Sequence, residues 1–119
     1  MDKLERYRQV LCSFLKEQGE IVPVNGTIET ETVFDHEAER YLLLHLGWNG
    51  QQRIYSVVIH LEVREGKVWI QQNTTDFSVA EELLKRGVAR EDIILGLKPA
   101  FVREYTGFGV AWMNIISAI

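Results

Sequence analysis

The chain has 119 residues, 46% of them apolar, which suits one compact domain with a sizeable core and leaves too little for two. Its 13 basic and 17 acidic side chains give a net charge of −4, which repels a phosphate backbone at long range and argues against independent nucleic-acid binding. Cys12 is the only cysteine, so an intramolecular disulfide and a cysteine-built zinc site are excluded.

In chain order, Leu4, Tyr7, Leu11, Phe14 and Leu15 fall on one stripe with Val10 beside it, predicting an amphipathic helix to about Gln18, with Gly19 at its C-cap. Cys12 lies in that pattern and is expected in the core. The start, Asp2-Lys3-Leu4-Glu5-Arg6, is charged and lacks the apolar run of an export signal, so a cytoplasmic location is expected. Pro23, Asn25 and Gly26 read as a loop. Thr27 to Phe34 alternates as a strand with Ile28 and Phe34 facing inward, and Glu29 and Glu31 suit an edge position, where charge discourages pairing with other chains.

Two hairpins follow. Asn49-Gly50 fits a two-residue turn of type I′, which pairs Leu44 with Tyr55 and Leu42 with Val57. Glu65-Gly66 makes the next turn, pairing Val63 with Val68 and Leu61 with Ile70. The expected core face therefore carries Leu42, Leu44, Leu46, Trp48, Tyr55, Val57, Ile59, Leu61 and Val63. The reverse face carries Tyr41, Leu43, His45, Ile54, Ser56, Val58, His60, Glu62, Trp69 and Gln71. That second face holds more apolar surface than a solvated one needs, so Tyr41, Ile54, Val58, His60 and Trp69 are the candidate partner interface.

Beyond Gln72 the period becomes helical. Ser78 and Glu81 fit a capping box, Val79, Ala80, Leu83 and Leu84 make a short stripe, and Gly87 ends it. Arg90 to Leu95 reads as one more helical turn, and Ala100 to Thr106 has no clear assignment. Phe108 to Ile119 bears no charged side chain, yet falls far short of the roughly 20 apolar residues of a membrane span. The expected fold class is α+β: a four-stranded antiparallel meander packed on one face by the N-terminal helix and C-terminal helical segments.

No catalytic constellation is written in these residues, and no cofactor or metal is expected. Glu29, Glu31 and His45 are the best candidates for a metal-dependent hydrolase, with solvated edge carboxylates as the plainer reading. His45 and His60 share a face in this register but lie about 20 Å apart, too far to share a metal. Ser78 is better explained as a helix cap than as a nucleophile. Lys98, Arg103 and Tyr105 interleave base and ring with Phe101 and Phe108, which makes direct nucleic-acid contact a minor alternative to structural packing of the rings. Trp48 is expected in the core.

The ordered series Met1 to Arg8, Gly47-Trp48, Arg53-Ile54-Tyr55, Ile59-His60, Gly66 to Gln71, Gly87-Val88, Glu91-Asp92-Ile93, Leu95-Gly96-Leu97, Pro99, Arg103 and Tyr105 to Phe108 resembles the XisI proteins, named for a controlling factor in excision of the fdxN element in cyanobacteria. Asn73, Ala89 and Lys98 depart from the family pattern, where an acidic residue, a proline and a histidine are usual. The resemblance covers about residues 1–111 of a single domain spanning 1–119, leaving 112–119 as an apolar tail. It implies a non-enzymatic, cytoplasmic accessory protein that binds a nuclease-class partner, an XisH-like protein, and reaches DNA only through that partner. A homo-oligomer is compatible with it, and a membrane role is not implied.

Overall fold

The computed structural model describes residues 2–21 and 27–110. The loop read at Pro23 to Gly26 and the tail 112–119 lie outside the described residues.

Helix α1, Lys3–Gly19, starts where Asp2 caps it, its carboxylate accepting from the Glu5 amide at 2.8 Å. Tyr7, Leu11, Phe14 and Leu15 are fully buried, and at about 1.5–3 kcal/mol each they hold the helix on the sheet. Gly19 ends the helix without a left-handed backbone; it packs close to Thr32 and Leu43, where α1 leaves the sheet. Cys12 is half-buried against the core, as its place in the stripe implies.

Strands β1 (Thr27–Asp35), β2 (Arg40–Asn49), β3 (Gln52–Arg64) and β4 (Lys67–Asn73) form the antiparallel meander. A fifth strand, β5 (Ile93–Ile94), pairs in parallel with Val68 and Trp69, so the sheet is mixed and has the order β1-β2-β3-β4-β5. The helical turn read over Arg90 to Leu95 is thus corrected: a 3-10 turn at Arg90–Asp92 leads into two buried isoleucines that extend the sheet. A parallel neighbour needs a crossover, and helix α2 (Val79–Lys85) supplies it.

The cap and stop of α2 follow the sequence closely. Ser78 accepts from the Glu81 amide at 3.2 Å. At the other end Gly87 has φ +99°, its amide bonding Leu84, while the Val88 amide reaches back to Leu83. That pair of bonds is a Schellman motif, and Val88 is buried beside the helix that it closes.

The turn at Glu65 and Gly66 has φ +52° and +76°, the type I′ sign pattern, and it pairs Val63 with Val68 and Leu61 with Ile70 as expected. The other hairpin differs. Asn49 pairs with Gln52, so the loop is Gly50-Gln51, and a positive φ at Gly50 but not at Gln51 is the pattern of type II′. That moves the register by two residues and preserves the faces. A bulge then reverses them: Leu44 pairs with Val57 but Leu43 pairs with Ile59, so Val58 is extra.

The consequence is a different core. Tyr41 and Leu43 join Ile59, Leu61, Val63, Val68 and Ile70 beneath α1 and α2. Leu42, Leu44, Leu46, Trp48, Tyr55 and Val57 point the other way, and Trp48 is 49% and Tyr55 67% exposed. The expectation that Trp48 is core is therefore overturned. Ile28 and Phe34 are half-buried on the helix side, while Glu29 and Glu31 stand exposed on edge strand β1.

Candidate functional site

The bulge at Val58 decides what each candidate residue can do. His45 pairs with Thr30 and Ser56 on the helix side, whereas Glu29 and Glu31 pair with Leu46 and Leu44 on the open side. Strand alternation therefore separates the imidazole from both carboxylates, and the metal-dependent hydrolase built on these three has no site. His60 lies on the open face, so the expectation that it shares a face with His45 is also corrected. Among the described residues no group of three or more His, Cys, Asp or Glu side chains is placed to hold a metal ion.

Of the five residues expected to form an interface, Tyr41, Val58 and Trp69 are buried within the chain. Tyr41 belongs to the helix side, where its hydroxyl donates to Glu39 at 2.8 Å. Burial and the Glu39 carboxylate push the Tyr41 phenol well above the ordinary tyrosine range. Glu39 also receives Arg8 Nε at 2.7 Å; burial alone raises its pKa, and the bonds from Arg8 and Tyr41 outweigh that and hold it below the usual carboxylate value. Val58 enters the core as the bulge residue, and Ile54 is half-exposed opposite Gly47. The five do not form one patch.

His60 belongs to a polar knot on the open face. The buried Glu62 carboxylate is reached by Arg40 Nε at 3.1 Å, Arg64 Nε at 2.8 Å, His60 Nε2 at 3.0 Å and Gln71 Nε2 at 3.2 Å. Two ion pairs and two hydrogen bonds around one carboxylate satisfy a buried charge, which is a structural use of these groups. Trp69 stands beside the knot, directed away from Val68 and Ile70, and is covered by the C-terminal chain.

That covering segment is the 3-10 helix Ala100–Tyr105. Arg103 is only 2% exposed; its guanidinium lies 5.2 Å from the Trp69 ring centre and Nε donates to the Leu95 carbonyl at 3.1 Å. Burial lowers its pKa from the ordinary arginine value, and its Nη1 has no acceptor among the described residues. Arg64 lies over the same ring at 5.2 Å. The Leu97 amide bonds the Ile70 carbonyl at 3.0 Å, so the segment is fastened to β4 at two points.

On this fastened segment Phe101 and Tyr105 are 73% and 81% exposed, with Leu97 and Lys98 also in solvent. Structural packing of the rings holds only for Phe108, which packs half-buried on the core. Of the nucleic-acid candidates Lys98 and Tyr105 are accessible, while Arg103 is sealed against Trp69 and presents no surface to a phosphate. Sequence reasoning took the three rings as one packed group; the exposure of two of them follows from a single buried arginine facing inward.

A cleft of about 160 Å³ lies between β4, α2 and the C-terminal segment, lined by Ile70, Val79, Ala80, Leu95, Leu97 and Phe108 with Asn73 and Ser78. Both polar side chains are engaged locally, Ser78 with the Glu81 amide and Asn73 with Phe77 and Thr75. The cleft holds no nucleophile paired to a base.

These features define a small α+β domain: a mixed sheet sealed on one side by two helices, with a partly exposed apolar face and an aromatic ledge on the other. Residues 1–110 match the family model described as XisI protein, and the chain belongs to that family. A solved XisI-like protein from Anabaena variabilis ATCC 29413 is 40% identical, with a TM-score of 0.86 over 91% of this chain and 99% of that one. The fdxN element excision controlling factor XisI from the same organism is 30% identical, with a TM-score of 0.80 over 92% of this chain and 100% of that one. No curated protein sequence matches significantly.

Proposed function

We propose that this chain is a non-enzymatic controlling factor that works by binding another protein, an XisH-like protein of nuclease class, in excision of a DNA element. Any chemistry on DNA then belongs to the partner. The observation that carries this reading is the aromatic ledge, two large rings held in solvent by a segment that Arg103 and Leu97 fasten to the sheet. Rigid exposed aromatics are what protein interfaces use as anchors, because little side-chain freedom is lost when they dock. Family membership supports the controlling role, since one relative is an fdxN element excision controlling factor.

Of the contact residues expected from the sequence, His60 on the open face and Ile54 on the helix side are half-buried, and Tyr41, Val58 and Trp69 are buried, so the proposed contact rests on the ledge instead. The experiment is co-purification with an XisH-like protein. Phe101→Ser and Tyr105→Ser are expected to weaken the complex at least tenfold while leaving the melting temperature unchanged, and Glu31→Ala is expected to do neither. A complex indifferent to both ledge variants removes the assignment. Among the described residues no helix is long and apolar enough to cross a membrane.

A further inference from the structure

The ledge leaves the open sheet face unused. Its centre is a band of Leu42, Leu44, Leu46, Val57, Trp48 and Tyr55: the leucines and Val57 are half-buried, Val33 beside Leu42 on β1 is 43% exposed, and Trp48 and Tyr55 are more so. A band of this kind on a chain with a well-filled core marks an association surface.

The charges flanking the band identify the occupant. Along β1 it is bordered by Glu29 and Glu31, opposite Leu46 and Leu44. Along β3 it is bordered by Arg53, opposite Trp48, whose ring its guanidinium overlies at 5.3 Å. One side carries two glutamates and the other a single arginine. A two-fold axis running along β2 sets the β1 strand of each copy over the β3 strand of the other, with Glu29 above the second copy's Tyr55 and two residues along the strand from its Arg53, within reach of that long side chain, while the leucines meet at the centre. The face is self-complementary in shape class and in charge, which is the condition for an isologous pair.

The other ways of covering it match less well. Edge-to-edge pairing of two β1 strands sets glutamates against one another, since Glu29 and Glu31 lie two apart on the same strand face. Residues 111–119 carry no charged side chain to answer either rim. The described chain, moreover, approaches its end at the far edge of the sheet, where the Gly109 amide bonds the Ile93 carbonyl at 2.8 Å.

We infer that the open face of the sheet is where a second copy of this chain docks, forming a face-to-face homodimer through Leu44, Leu46, Tyr55 and Val57 with Glu29 and Arg53 paired across the two-fold axis. This uses a different surface from the ledge and stands or falls separately from the controlling role.

The test is the mass of the full chain by light scattering, from low to high micromolar concentration. The expected result is a concentration-dependent rise toward twice 13.8 kDa. A monomer throughout overturns the inference. Tyr55→Asp, at a site exposed in the single chain, and Leu44→Asp are expected to give monomers, Tyr55→Asp with unchanged circular dichroism and melting; a dimer that survives Tyr55→Asp overturns it. Glu29→Arg or Arg53→Glu alone is expected to weaken the dimer at least tenfold, and the double variant to recover most of that loss. Failure of the double variant to recover overturns the proposed pairing. If Ile116→Asp produces a dimer from a monomeric parent, the C-terminal segment is the occupant and a second copy is not. If the chain alone is monomeric and Tyr55→Asp instead breaks an XisH-like complex, the face belongs to that partner.

Discussion

Tyr7 donates its phenolic proton to Asp92 at 2.6 Å, joining the first helix to the 3-10 turn that leads into β5 across 85 residues of chain. The same hydroxyl accepts from the Ala89 amide at 3.2 Å, and Lys3 Nζ lies 3.2 Å from the carboxylate. Tyr7→Phe leaves a buried carboxylate oxygen and a part-buried amide short of a partner. A loss of about 1–3 kcal/mol is expected, read as a lower urea midpoint with an unchanged slope. Full stability in Tyr7→Phe would show that water replaces the hydroxyl at no cost.

Asp92 gives the molecule an acid-sensitive element. Burial raises its pKa, but the hydrogen bond from Tyr7 and the charge of Lys3 outweigh burial, so its folded pKa lies below the ordinary aspartate value. For a carboxyl with a depressed folded pKa, the stabilisation is complete above the unfolded value of about 3.9 and is lost as pH falls through the folded one. Glu39 acts in the same direction. Asp92→Asn is therefore expected to flatten the drop in urea midpoint between about pH 5 and pH 2. An undiminished drop in that variant assigns the acid limb to other carboxylates.

Gly47 has no room for a side chain. A Cβ there would stand 2.1 Å from the Thr27 carbonyl oxygen and 2.8 Å from the Ile28 Cα, with φ at +151°. Backbone cannot yield as a flexible side chain does, so Gly47→Ala is expected to cost more than about 2 kcal/mol and to loosen the β1–β2 pairing. Faster amide exchange across Thr27 to Glu31 is the measurement. Gly66→Ala, where only a positive φ opposes the change, is expected to cost less.

Arg103 is a buried cation held by an aromatic face and one carbonyl. Its removal relieves the cost of burying a charge while forfeiting packing on Trp69, so the two substitutions that separate these terms behave differently. Arg103→Met keeps most of the volume and is expected to change stability by less than about 1 kcal/mol, whereas Arg103→Ala is expected to cost about 2–4 kcal/mol and to expose Trp69. Equal losses in both variants would make the guanidinium itself the stabilising group. Indole fluorescence and thermal melting read both outcomes.

Local signals carried the parts of the fold that short-range chemistry dictates. Asp2, Ser78 and Gly87 mark the helix limits, and Glu65-Gly66 sets a register that survives in the molecule. The hairpin at Gly50 was legible as a turn but not in its phase. What the pattern hid were the extra residues at Val58 on β3 and Gln71 on β4, because a period-two argument carried through a bulge assigns the side chains beyond it to the wrong face. The apolar run Val57-Val58-Ile59 was the one visible sign, since three such residues in a row cannot alternate. β5 escaped because two residues carry no periodicity, and the burial of Trp69 depends on Arg103, which nothing local connects to it. The resemblance to the XisI proteins was legible along nearly the whole chain, yet the surfaces on which such a protein acts required the faces to be known.

The placement of β5 has a consequence for synthesis. The pocket beneath α1 is completed by Val88 and Ile93, which leave the ribosome long after the helix itself. A nascent chain can build the β2–β4 hairpins early, but the helix gains its last neighbours only once Val88 and Ile93 have been made. Until then the stripe of Tyr7, Leu11, Phe14 and Leu15 is an incompletely sheltered surface for chaperones to hold.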